Sequence, residues 1–287
     1  MLINHLRLAK IPLCLLVAGS GLFGFILAAG CADWRVVPVC GGIFMLAAGA
    51  VSLNGLQEIY VDTLLRRTSG RPLASGVMSR AAGLRQAQIL LAGGIIILLV
   101  SFSTPGPAVA GCVAVILYNA VYTPLKYRTI WAIIPGALCG AIPPYIGWLA
   151  AGGEPVSALI GAAAMLLALW QIPHFLLIML KHKADYRSSV LPSFIDCAPD
   201  SSLRLLIVVW TGACVVVVHV ILMQLVGSAT PLWWLTSVTS LIFLVGFSVR
   251  LYKGNPSYDL LFIVFNSFMA TMLLLLSLAA LMAPPGI

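Results

Sequence analysis

Long stretches in which almost every position is apolar alternate along this chain with short polar or glycine- and proline-containing breaks. Charge-free runs fall near residues 11–30, 36–57, 86–103, 107–124, 130–151, 156–180, 205–226, 231–249 and 260–283. Segments of that length can satisfy their backbone polar groups inside lipid only as helices. The pattern therefore predicts an all-α integral membrane protein with nine transmembrane helices, forming a single membrane domain over residues 1–287. The breaks carry turn chemistry: STPGP at 103–107, AGGEP at 151–155, VGSATP at 226–231 and KGNPSY at 253–258.

Composition agrees with this reading. Of 287 residues, 61% are hydrophobic and only 8% charged, whereas a soluble domain carries roughly 25% charge. Mean hydropathy is +1.08. The N-terminus, with Arg7 and Lys10 ahead of an apolar run and AAGC at 28–31, has some features of a secretory signal. Ile11 to Gly30 is free of charge over a full spanning length, however, longer than the roughly 7–15 residues of a signal core, so a retained first helix is expected. The seven cysteines, Cys14, Cys31, Cys40, Cys112, Cys139, Cys197 and Cys214, are odd in number and include no CxxC pair. They predict small buried hydrophobes, with neither a disulfide framework nor a zinc site.

Charge fixes an orientation. The net charge of +8 comes with no basic stretch long enough to serve as a nucleic-acid footprint. Every one of the 16 lysines and arginines except Arg35 falls at the N-terminus or in a gap after an even-numbered helix. Such asymmetry predicts a cytoplasmic N-terminus and an outside C-terminus, in the inner (cytoplasmic) membrane. Glu58, Asp62, Asp185, Asp196, Asp200 and Asp259 share the basic side, while Asp33 and Glu154 lie opposite. Two long connections, about 58–85 and 181–204, hold most of the charge and are the expected functional loops.

The first opens in NGLQEIYVDTLLRRTSGRPL, residues 54–73. Asn54, Glu58 and Asp62 follow one another at i, i+4, i+8, which on a helix spans about 80° of one face and about 12 Å. A ladder of oxygen ligands suits a hard cation such as Mg²⁺ held together with substrate phosphate. Arg66, Arg67 and Arg71 stand just beyond, where guanidinium groups can take the remaining phosphate oxygens. Interfacial salt bridging alone is the alternative reading of the same residues. The second loop, WQIPHFLLIMLKHKADYRSSVLPSF at 170–194, brings Asp185 amid Lys181, Lys183 and Arg187. It follows the sixth helix as the first loop follows the second. YTPLKYRT at 122–129 adds Lys126 and Arg128 on the same side.

These residues resemble a known family. Asn54, Glu58, Asp62, Arg67, Thr68, Arg71, Pro72 and Leu73 are similar to the first aspartate-rich motif of UbiA-type intramembrane prenyltransferases. YTPLKYRT, GAIPPYIGW at 140–148 and WQIPHF at 170–175 resemble the branch that farnesylates protoheme IX. The resemblance implies a UbiA-like helical bundle with a cytoplasm-facing cavity, farnesyl diphosphate and heme b as substrates, Mg²⁺ as cofactor, and a heme A synthase as a candidate partner in the bilayer. It also assigns roles. Asn54, Glu58, Asp62 and Asp185 would hold metal and diphosphate. Arg67, Arg71, Lys126, Arg128, Lys181 and Arg187 would bind phosphate. Residues assigned to the acceptor or the prenyl chain are His174 and Tyr122, with Tyr118 beside them; His174 would ligate heme iron or orient a propionate, or else pack against a neighbouring helix. Ser189 stands where the family's second motif has another aspartate. For His219, amid VVVVHV, packing is expected, and His5 and His182 fall at the interface. Trp148, Trp170, Trp233 and Trp234 read as interfacial anchors. Two other functions stay open: prenylation of a quinone-precursor ring, and secondary transport. Transporters place ionisable groups near the bilayer midplane, whereas the acids here gather at one end.

Overall fold

The computed structural model describes residues 2–65, 67–187, 192–228 and 230–283. Among the described residues the chain is helical and contains no strand. The helices are α1 (Leu2–Ala9), α2 (Ile11–Ala29), α3 (Val36–Gln57), α4 (Ile59–Leu64), α5 (Arg80–Val100), α6 (Gly106–Leu125), α7 (Ile130–Ala150), α8 (Ala158–Lys181), α9 (Lys183–Arg187), α10 (Phe194–Cys197), α11 (Asp200–Val226), α12 (Pro231–Tyr252) and α13 (Tyr258–Met282). Nine of those described are long and apolar enough to span a membrane: α2, α3, α5, α6, α7, α8, α11, α12 and α13. They are the nine helices read from the apolar runs.

The helix ends differ from those runs, because capping and snorkelling carry helices past the last uncharged residue. α5 begins at Arg80, with the Ser79 hydroxyl accepting a hydrogen bond from the Ala82 N–H at 3.2 Å. α11 begins at Asp200, whose carboxylate suits a helix N-terminus. α1 was not foreseen. It buries Leu8 against Leu73 and Met78 and leaves Leu2, Ile3 and Leu6 exposed.

Close approach of backbones organises the bundle. α2 lies on α7, and there a Cβ added to Gly24 would fall 1.8 Å from the Pro144 carbonyl oxygen. One added to Gly147 would fall 1.8 Å from that of Gly21. Lipid supplies little hydrophobic drive between helices, so small residues that permit such contact carry the association. One core gathers around Leu166, Ile207 and Phe265 on α8, α11 and α13. A second, around Phe25, Ile43, Leu98 and Ile146, joins α2, α3, α5 and α7. α6 is interrupted by a π-helical turn, Leu117–Tyr122, a feature frequent at functional sites.

Candidate active site

α3 and α4 deliver the acidic ladder. Glu58 sits at the break between them with φ −100° and ψ 3°, so the single straight helix implied by the four-residue spacing is interrupted there. Hydrogen bonds from the Glu58 N–H to Asn54 O (3.0 Å) and from the Asp62 N–H to Glu58 O (2.8 Å) nonetheless carry the helical pattern across the break. The three side chains therefore keep a common face. All three line one cavity of about 420 Å³, together with Lys10, Arg67, Arg71, Tyr118, Tyr122, Lys126 and Asp185.

Asn54, Glu58 and Asp62 are only 2%, 6% and 4% exposed, and buried carboxylates need partners. Arg71 donates from Nη1 to both Asp62 oxygens at 2.8 Å and stands 3.7 Å from Glu58 Oε2. The Lys126 ammonium donates to Glu58 Oε1. Asn54 Nδ2 donates to the same oxygen at 2.5 Å and to Thr123 Oγ1 at 3.0 Å. Thr123 in turn donates to the Tyr118 carbonyl at 2.8 Å, inside the π-helical turn. Asn119, in the same turn, donates to Ala50 O (3.0 Å) and Gln57 Oε1 (3.1 Å), while Gln57 donates back to Asn119 O at 2.9 Å. The irregular turn thus locks α6 to α3 and sets the ladder's position.

Among the described residues no three His, Cys, Asp or Glu side chains form a ready-made metal-ligand group. Glu58 and Asp62 are held by cations, and Asp185 reaches the cavity from α9. Asn54 Oδ1 makes no protein hydrogen bond among the described residues and is not one of the buried unpartnered atoms. Hard oxygen donors spread around a basic cavity fit Mg²⁺ in its usual protein setting, where one or two carboxylates hold it together with substrate phosphates.

The predicted residues divide into two groups. Asn54, Glu58, Asp62, Asp185, Arg67, Arg71, Lys126 and Tyr122 come together in the cavity. Arg128, Lys181 and Arg187 do not line it; all three are exposed, and Lys181 pairs with Asp259 at 2.7 Å. Arg66 and Ser189 lie outside the described residues. His174 lines a separate apolar cavity of about 280 Å³, which shares Leu13, Tyr118, Tyr122 and Phe175 with the polar one. Tyr118 and Tyr122 stack at this junction, with centroids 5.6 Å apart.

Lys10 is the residue sequence reasoning missed, having counted it only toward topology. It joins α1 to α2 in the left-handed region, with φ 47° and ψ 54°, and so enters the polar cavity. Burial, with Arg71 nearby, pushes its ammonium pKa down to about 8. The available signal was its place directly before Ile11-Pro12, since proline favours the first turn of a helix.

A membrane-spanning helical bundle here joins a charged, carboxylate-bearing cavity to an apolar one, which suits a ligand with a polar head and an apolar tail. The UbiA prenyltransferase family model matches residues 17–270, and the chain belongs to that family. Among its relatives is a protoheme IX farnesyltransferase of Geobacter sulfurreducens, 35% identical over 245 residues that cover 83% of this chain and 88% of that protein. Another, from Nitratidesulfovibrio vulgaris, is 37% identical over 71% of each chain. Among solved structures, a digeranylgeranylglyceryl phosphate synthase superposes with a TM-score of 0.76 at 13% identity, covering 98% of this chain and 99% of that one. A UbiA homolog from Archaeoglobus fulgidus bound to GPP and Mg²⁺ gives 0.70 at 18% identity, covering 98% and 100%. These two share the fold.

Proposed function

We infer that this protein transfers a farnesyl group from farnesyl diphosphate to a vinyl group of heme b, giving heme O. The observation that carries prenyl transfer is the junction of the two cavities. A diphosphate in the polar cavity with its chain in the apolar one puts the reacting carbon beside Tyr118, Tyr122 and Phe175. The acceptor rests on likeness to the curated farnesyltransferases.

Each side chain then has a task. Lys10, Arg67, Arg71 and Lys126 receive phosphate oxygens, the guanidinium groups offering forked donors. Asn54, Glu58, Asp62 and Asp185 would hold Mg²⁺, which would supply positive charge to neutralise the departing diphosphate. The bond from the allylic carbon to diphosphate oxygen breaks, and the electron pair leaves with the phosphate. The two tyrosine rings and Phe175 flank the resulting allylic cation at the mouth of the apolar cavity, whose lining keeps water from it. The terminal carbon of the vinyl group attacks that cation, which moves the positive charge to the carbon next to the porphyrin ring. Once the prenyl cation is consumed, water adds there and loses a proton to solvent, completing the hydroxyethylfarnesyl side chain.

His174 serves the acceptor. Asn266 Nδ2 is engaged with Phe262 O at 2.6 Å, so Asn266 Oδ1 faces His174 Nδ1, 2.8 Å away. Nδ1 accordingly carries the proton and Nε2 keeps a lone pair, the arrangement of a histidine oriented to ligate iron. The charged end of the bundle faces the cytoplasm of the inner membrane, by the same charge asymmetry that orients the N-terminus.

The test is direct. Purified protein given heme b, farnesyl diphosphate and Mg²⁺ should yield a more hydrophobic porphyrin on reversed-phase chromatography, with pyrophosphate released only when heme is present. Pyrophosphate release with a quinone-precursor ring, and none with heme, would reassign the acceptor.

A further inference from the structure

Beyond the Asp62–Arg71 pair lies a second polar cavity, of about 280 Å³. Arg7, Lys10, Arg67 and Arg71 line it, with Asp62 as the acid among its lining residues. The larger cavity sets Lys10, Arg67, Arg71 and Lys126 against three carboxylates, Glu58, Asp62 and Asp185. Here the same number of cations faces one carboxylate, so the smaller cavity attracts an anion with no metal to help.

Its walls are placed by specific packing. A Cβ at Gly55 would fall 2.8 Å from Leu8 Cδ1, so glycine there lets α1 seat on α3 and carries Arg7 to the cavity. Among the described residues Lys10 is the one non-glycine with positive φ, a conformation that persists where the surroundings enforce it. That turn directs Lys10 into both cavities. Leu2, Ile3 and Leu6 are exposed on α1 at 71%, 70% and 48%, as on a helix lying in the membrane interface.

We propose that this cavity binds a phosphate-bearing anion independently of metal. Three arginines and a lysine match phosphate oxygens in charge and in donor geometry. Two sources carry that chemistry: pyrophosphate leaving the larger cavity past the shared Arg67 and Arg71, and a lipid headgroup entering beside α1. The cavity's charge does not depend on which acceptor the enzyme uses, so the two readings fail separately.

Arg7 lines this cavity and not the larger one, which makes Arg7→Gln diagnostic. The titration is run in neutral detergent with EDTA and without prenyl diphosphate, so that Lys10, Arg67 and Arg71 are not already engaged in the larger cavity. Inorganic pyrophosphate, titrated calorimetrically, should still bind saturably, and about tenfold more weakly to Arg7→Gln. If it does not bind, the headgroup arm decides. Wild-type protein should then melt higher in vesicles containing phosphatidylglycerol than in phosphatidylcholine alone, and Arg7→Gln should lose that difference. Gly70→Glu is a second variant, adding a carboxylate to the cavity where nothing lies within 4 Å of the new Cβ, and should act in the same direction. Variants matching wild type in both arms would overturn the proposal.

Discussion

Arg71 Nη1 stands 2.8 Å from each carboxylate oxygen of Asp62, so this member of the acidic ladder already has a cation. On the proposed mechanism, metal would compete with Arg71 for these oxygens and free the guanidinium toward the diphosphate. Asp62→Asn keeps the shape and removes the charge. Turnover should fall by about 10²–10³-fold, the scale set by losing one group that stabilises developing charge. Circular dichroism and gel filtration in detergent should stay as in wild type, and retained activity would remove Asp62 from the site.

Chelation should stop the reaction and Mg²⁺ should restore it. In Arg71→Met the competitor for Asp62 is gone, so the Mg²⁺ needed for half-maximal rate should not rise. The KM for farnesyl diphosphate should rise about tenfold or more. Steady-state kinetics with varied metal checks both, and a higher Mg²⁺ demand with an unchanged KM would contradict the competition.

Lys10 titrates near 8 instead of 10.5, mainly through burial. Its positive charge is lost as pH rises through 8, so KM for the diphosphate should climb from about pH 7.5 to 9. A depressed lysine pKa costs stability while the group is charged, and that cost is relieved between 8 and 10.5. Unfolding of this origin therefore cannot imitate the kinetic effect. Lys10→Arg, charged throughout the range, should flatten the KM profile.

Gly147→Ala should lower the melting temperature in detergent, since its Cβ would meet the Gly21 carbonyl oxygen at 1.8 Å. Overpacking of this kind costs about 1–3 kcal/mol. Gly161→Ala, with nothing within 4 Å, is the control and should leave melting unchanged.

Heme added to the protein should give a Soret band characteristic of histidine ligation. His174→Ala should shift that band toward the unligated form. Asn266→Leu, which removes the 2.8 Å partner of Nδ1, should weaken heme binding by about 10–100-fold. An unchanged spectrum in His174→Ala, with lower thermal stability, would return this histidine to a packing role.

Much of the cavity was legible from residue spacing. Asn54, Glu58 and Asp62 share a face because helical hydrogen bonding survives the break at Glu58. Asp185 and Lys126 were found through their place at helix ends on the same side, and both line the cavity. Arg128, Lys181 and Arg187 satisfied the same rule and point elsewhere, because charge and side say nothing about azimuth around a helix end. Lys10 was hidden for a related reason: a single left-handed residue redirects it, and no periodicity encodes that turn.

The sequence by itself determined how many times the chain crosses the membrane and which end bears the charge. Unpaired backbone groups in lipid demand helices of that length, and lysine and arginine resist translocation. Only the tertiary structure decided which cation meets which carboxylate and where the polar cavity opens onto the apolar one. Those depend on backbones brought together at Gly21, Gly24 and Gly147 and on a π-helical turn clasped by Asn119 and Gln57, contacts between segments far apart in the chain.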